Sequence, residues 1–170
     1  MKTRKGLIHA FSIIAVIPCI WAVAAADSST PPSADAVAFA QRTSELMTNT
    51  VVAALLQEIG ETTPDNVNEG NLSIGLIFND GNRDMRLVGT LNPLSENDLP
   101  TGNFEKSALQ AAMSGQASTS VERVDGRWYY RRSFPLTNFT PQCAMCHSNF
   151  ASLPSTAPVG ALMLRVPVAN

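Results

Sequence analysis

The apolar positions of this chain change spacing several times, and each change predicts an element. From Ala36 to Ile59 there is no Pro or Gly. Ala40, Met47, Val51, Ala54, Leu55 and Ile59 recur there at helical spacing, which predicts a long amphipathic helix ended by Gly60. Beyond Thr63-Pro64, the run Leu72–Phe78 is short and apolar, and Asn79-Asp80-Gly81-Asn82 separates it from Met85–Val88, a pattern that reads as strand, turn and strand. Asn92–Gly102 is a polar loop containing Pro. Phe104–Ser114 predicts a second helix, with Asn103 as its cap and Gly115 just past its end. Ser118–Val124 and Arg127–Phe134 flank Asp125-Gly126, a strong signal for a two-residue hairpin. After a Ser/Pro-rich loop from Ser152 to Pro158, Val159–Val166 predicts a last strand. The expected fold class is α+β: an antiparallel sheet of about five strands with helices on one side.

The first residues follow a different rule. Lys2, Arg4 and Lys5 precede an apolar run from Leu7 to Ala26, which ends in Ala24-Ala25-Ala26 before Asp27. That is the pattern of a secretory signal, so residues 1–26 are expected to be removed and the protein to be periplasmic. An uncleaved segment would instead anchor the chain to a membrane. Cys19 invites a lipoprotein reading, but Pro18 stands where such a site has a small residue. Residues 27–35 read as a flexible tether, and 36–170 as one domain.

Composition narrows the function classes. The chain has 170 residues, 45% hydrophobic and 15% charged, which suits a single globular domain. Loss of residues 1–26 removes three of twelve basic groups, leaving nine against fourteen acidic residues and a charge of −5. Nucleic acid is therefore not an expected partner.

The mature chain keeps two cysteines and one histidine, all inside Cys143-Ala144-Met145-Cys146-His147. This is the C-x-x-C-H pattern of covalent haem c attachment. Two thiols three positions apart can reach the two vinyl groups of one haem, and the next residue offers an imidazole to the iron. A zinc site would want further Cys or His ligands that the chain lacks. A thioredoxin-like dithiol would want a helix start after a buried strand, whereas this motif follows the loop-like Asn138–Gln142. With one histidine, bis-histidine ligation within one chain is impossible. The other axial position is left to a methionine, Lys106, a tyrosine, the N-terminal amine or water. Met47, Met85, Met113, Met145 and Met163 remain after cleavage.

Together these residues resemble periplasmic haem c domains with a PAS-like fold, which occur alone or as sensory front ends of histidine kinases and chemoreceptors. The resemblance spans roughly Ala36 to Val166. It rests on Leu91-Asn92-Pro93, Glu96-Asn97-Asp98, Phe104-Glu105, Trp128-Tyr129-Tyr130, Cys143–His147 and Gly160-Ala161. It implies a PAS-like sheet holding one covalent haem, with Cys143, Cys146 and His147 at the attachment motif. Some members draw the sixth iron ligand from the N-terminal helix, where a cysteine can serve. No cysteine lies in residues 36–59 here, and Met47 is the nearest replacement.

Arg123, Arg127, Arg131 and Arg132 cluster before the motif and are candidates to pair with haem propionates. Strand alternation puts Arg127, Tyr129 and Arg131 on one face and Trp128, Tyr130 and Arg132 on the other. No hydrolytic triad or phosphate-cradling glycine motif is present, so no enzyme is expected. The expected function is redox or small-ligand sensing, for example of nitric oxide, with electron transfer as the alternative. The expected partners are a redox or signalling protein, a small gas ligand, and a second copy of the chain in a homodimer.

Overall fold

The computed structural model describes residues 29–69, 84–91 and 93–169, together with Ile74 and Phe78. The signal segment expected over 1–26 lies outside the described residues. Among the described residues no helix is long and apolar enough to cross a membrane.

The first helix, α1, spans Ala34–Gly60. Ser33 caps it, its side chain accepting the Ala36 N–H at 3.2 Å. At about 1.5 Å per residue, its 27 residues reach right across the domain. Small polar residues line its buried face. Ser44 and Thr48 turn their hydroxyls back onto the carbonyls of Gln41 and Ser44, both at 2.7 Å, so neither leaves a donor unmet and the helix lies close on the sheet.

Four antiparallel strands follow: β1 (Met85–Val88), β2 (Thr119–Val124), β3 (Arg127–Thr137) and β4 (Pro158–Pro167), in the spatial order β1-β4-β3-β2. Asp125 and Gly126 join β2 to β3 with φ of 50° and 81°, the paired positive values that a type I′ hairpin turn demands. A second helix, α2 (Gly102–Ala112), precedes β2. It starts after Thr101 rather than Asn103, because the Glu105 carboxylate takes the Thr101 N–H at 2.7 Å.

Cross-strand partners decide which helix covers which face. Val88 and Pro135 lie opposite Ala161, and Ser133 lies opposite Met163. Val88, Ala161 and Met163 pack on Ala108, Leu109 and Ala112 of α2. The alternate residues Tyr130 and Val166, themselves a pair, pack on Ala40 of α1 with Val37, Met47 and Trp128 around them. β4 is therefore buried on both faces from Gly160 to Leu164. Leu162 and Leu164 are among the largest fully enclosed side chains, and burying each contributes about 1.5–3 kcal/mol.

The α+β class stands, but the PAS-like sheet of about five strands does not. Among the described residues there are four strands, and helices cover both faces instead of one. The strand expected at 72–78 lies mostly outside the described residues; where it is described, at Ile74 and Phe78, the chain is helical, as it is at 67–69. Ile74 and Phe78 are four apart and share one side of a helix, a spacing that a short apolar run conceals.

Candidate functional site

The motif sits in the connection between β3 and β4. Asn138 closes the base of this connection, its N–H donating to Ala157 O at 2.9 Å. Thr140, Pro141 and Gln142 offer carbonyls to the amides of Cys143, Ala144 and Met145 at 3.0–3.1 Å, which winds the single helical turn α3 (Cys143–Cys146). The His147 N–H closes the turn on Cys143 O at 3.0 Å. Positions i, i+3 and i+4 of a helical turn share one side. Cys143, Cys146 and His147 therefore face the same way, while Met145 between them is exposed.

That common side borders a cavity of about 790 Å³, and all three side chains line it. Leu55 and Ile59 from the end of α1, Ile74, Phe78, Leu87, Leu136 and Phe139 supply apolar wall. Arg86, Leu87 and Val88 all line it although alternate residues of β1 point opposite ways, so the cavity runs round the outer edge of the sheet. Leu91 and Leu94 stand exposed at its rim. A smaller cavity of about 230 Å³ touches Cys146 from the side of Val67, Leu94 and Met145.

Below the turn, Ser148–Ser152 forms a 3-10 helix. The ring of Phe150, buried in this segment, stacks on the His147 imidazole with centroids 4.6 Å apart and planes 14° from parallel. Both cysteines are free and half-buried. Burial pushes the Cys143 thiol above its ordinary range; backbone hydrogen bonding pulls it partly back, and the neighbouring Cys146 adds a small rise.

Among the described residues three arginines line the cavity, and each already has a carboxylate partner. Arg86 pairs with Glu105, Arg131 with Glu105 and Glu122, and Arg165 with Asp84. Against these three, the described lining contains two carboxylates, Asp98 and Glu105. Arg131 Nε is buried without a hydrogen-bond partner among the described residues. Of the four arginines singled out in the sequence, only Arg131 reaches the cavity; Arg132 instead meets Glu45 of α1 at 3.2 Å. The alternation assigned to this strand holds, with Arg131 opposite Arg165 and Arg132 opposite Leu164.

The structure does not bring Met47 to the motif. It packs with Ala40, Tyr130, Val166 and Trp128, away from the cavity lining. Apart from Cys143, Cys146 and His147, the described lining has no His, Cys, Met, Lys or Tyr. Residues 70–83 and Asn92 contain none of these types in sequence. Among the described residues no three His, Cys, Asp or Glu side chains converge as a metal-ion site.

Sequence reasoning missed Phe150, Asn138, Arg86 and Arg165. Phe150 carried a weak signal as an apolar residue three positions past the histidine; the other three gain their places only through the sheet. No family model and no curated protein matches this chain.

Proposed function

We propose that this is an exported protein carrying one covalent haem c, which senses redox state or a small ligand such as nitric oxide. One observation carries it: Cys143, Cys146 and His147 lie on one side of a single helical turn and border the same apolar-walled cavity. Its volume, about 790 Å³, falls within the ~300–1,000 Å³ usual for cofactor and ligand sites. In this reading the Cys143 and Cys146 thiols would hold the haem through thioether bonds and His147 would supply an iron ligand. Leu91 and Leu94 at the rim suit an apolar macrocycle. When bound, the haem iron supplies a one-electron couple and a site for diatomic ligands. What carries over from the family resemblance is the haem ligation, not the five-stranded sheet.

Sensing is favoured over electron transfer by the wall opposite. A six-coordinate carrier needs a second strong ligand, and the described lining beyond the motif offers neither sulfur, imidazole, amine nor phenol. The full chain should be produced with haem-attachment machinery, then weighed and examined by absorption in both oxidation states. The expected result is a mass increase of one haem and a ferrous spectrum that shifts with carbon monoxide or nitric oxide. A colourless protein of unmodified mass overturns the haem assignment. A coloured protein indifferent to both gases overturns ligand sensing and leaves redox sensing or electron transfer.

A further inference from the structure

The His147 imidazole reaches the cavity from a loop, and loops hold a ring plane poorly unless something fixes it. Two residues outside the attachment motif do so here. Phe150 stacks under the ring, nearly parallel at 4.6 Å. Phe150 is itself tied down by Asn138, whose side-chain amide donates to Phe150 O at 3.1 Å and to Leu153 O at 3.0 Å. Asn138 belongs to the rigid part of the molecule: it directly follows β3, its N–H bonds Ala157 next to β4, and it is 7% exposed.

The amide accepts a penalty for this. Both donors of Nδ2 are spent on the two carbonyls, and Oδ1 is buried with no partner among the described residues. A buried acceptor without a donor is unfavourable and uncommon in folded chains. A residue serving only to fill space at this position would not need an amide. Holding two loop carbonyls at once does require two donors on one rigid planar group.

We propose that Asn138 is a positioning residue: acting through Phe150, it fixes the plane of the His147 imidazole relative to the sheet. This rests on the haem reading for its purpose but not for its geometry, which belongs to the chain alone. The orientation of an axial imidazole decides which iron orbitals it overlaps, so a wandering ring blurs the electronic state of the metal. With haem bound, a fixed ring plane would keep that state single.

The experiment uses the full chain in two forms. In the haem-free chain, proton NMR reads the His147 ring protons, which a face-stacked Phe150 shifts upfield. Phe150→Leu removes the stacked ring while leaving the carbonyl that Asn138 holds; Asn138→Asp keeps the shape but removes both donors. Both variants are expected to lose the upfield shift, with circular dichroism unchanged. In the haem-loaded chain, electron paramagnetic resonance of the ferric state should broaden from one narrow signal to a distribution in both variants. Should Asn138→Asp fail to fold, Asn138→Ser, smaller and with a single donor, takes its place with the same expectation. If the Asn138 variant keeps the wild-type His147 shift while Phe150→Leu loses it, Asn138 has no positioning role and the proposal falls. If no haem attaches but both shifts are lost, the positioning stands and the haem reading fails.

Discussion

Glu105 of α2 and Arg86 of the edge strand β1 form an ion pair in which the carboxylate side chain is only 4% exposed. The same carboxylate meets Arg131 of β3 at 3.4 Å and accepts the Thr101 hydroxyl at 3.0 Å. One buried acid thus ties α2, β1 and β3 together along the cavity's arginine-lined side. Arg86 also donates to the carbonyls of Asn97 and Leu99, fixing the loop that leads into α2.

Glu105→Ala leaves Arg86 without a carboxylate and Arg131 with Glu122 alone, and breaking a buried pair from one side costs about 3–5 kcal/mol. Urea denaturation should show a loss of that order. Glu105→Gln, which can still accept from Thr101, should lose less. A loss under about 1 kcal/mol for the alanine variant would mean the pair behaves as a solvated surface pair.

Met47 is a test of packing against ligation. In the α1 cluster a Met47→Leu exchange conserves volume and should cost less than about 1.5 kcal/mol. The absorption spectrum of the haem-loaded protein should not change. A displaced Soret band in that variant would bring the thioether to the iron and contradict its place beside Tyr130 and Trp128.

Cys143 titrates above an ordinary thiol because burial disfavours its charged form. At pH near the free-cysteine value of about 8.5, the haem-free folded chain should therefore alkylate more slowly at Cys143 than a free cysteine does. The stability consequence has a definite sign. The folded state holds this proton more tightly than the unfolded one, so the contribution is present below the ordinary thiol range and is lost as pH rises through the raised value. Alkylation mapped by mass spectrometry across pH 7–10 reads the first effect (the range is a choice of about three units around the thiol value). Equal rates at Cys143 and a model thiol would refute it.

Gly160 marks a close approach of backbones. A Cβ there would stand 2.7 Å from Val88 O, a contact with backbone that no rotamer relieves. Gly160→Ala should push β1 away from β4 and cost about 1–3 kcal/mol, the usual range for overpacking. Thermal denaturation checks it, and an unchanged midpoint would mean that β1 yields freely.

Local chemistry was legible in the sequence wherever it depended on neighbours along the chain. Asp125-Gly126 specified its turn because both positions need positive φ, and the Cys143–His147 spacing placed three side chains on one side of a turn. Long-range choices were not legible. The run at 72–78 fits strand and helix alike, and where it is described, at Ile74 and Phe78, it is helical and lines the cavity. Arg131 and Arg132 looked like a free basic cluster because their partners Glu105, Glu122 and Glu45 are distant in sequence or on other elements. Met47 lies on the predicted stripe, but the buried seam of α1 is centred on the small residues Ala40, Ser44 and Thr48, which a search for large apolar side chains passes over.

Among the described residues β1 pairs over only four positions, and with β4 alone, whereas β3 and β4 are paired from Tyr129 to Thr137. The wall nearest the motif is therefore the part of the sheet most easily frayed, since opening frees least from the strands with fewest bonds. The central pair, which carries the connection with the two thiols, should therefore exchange its amide protons last, after the β1 margin has opened.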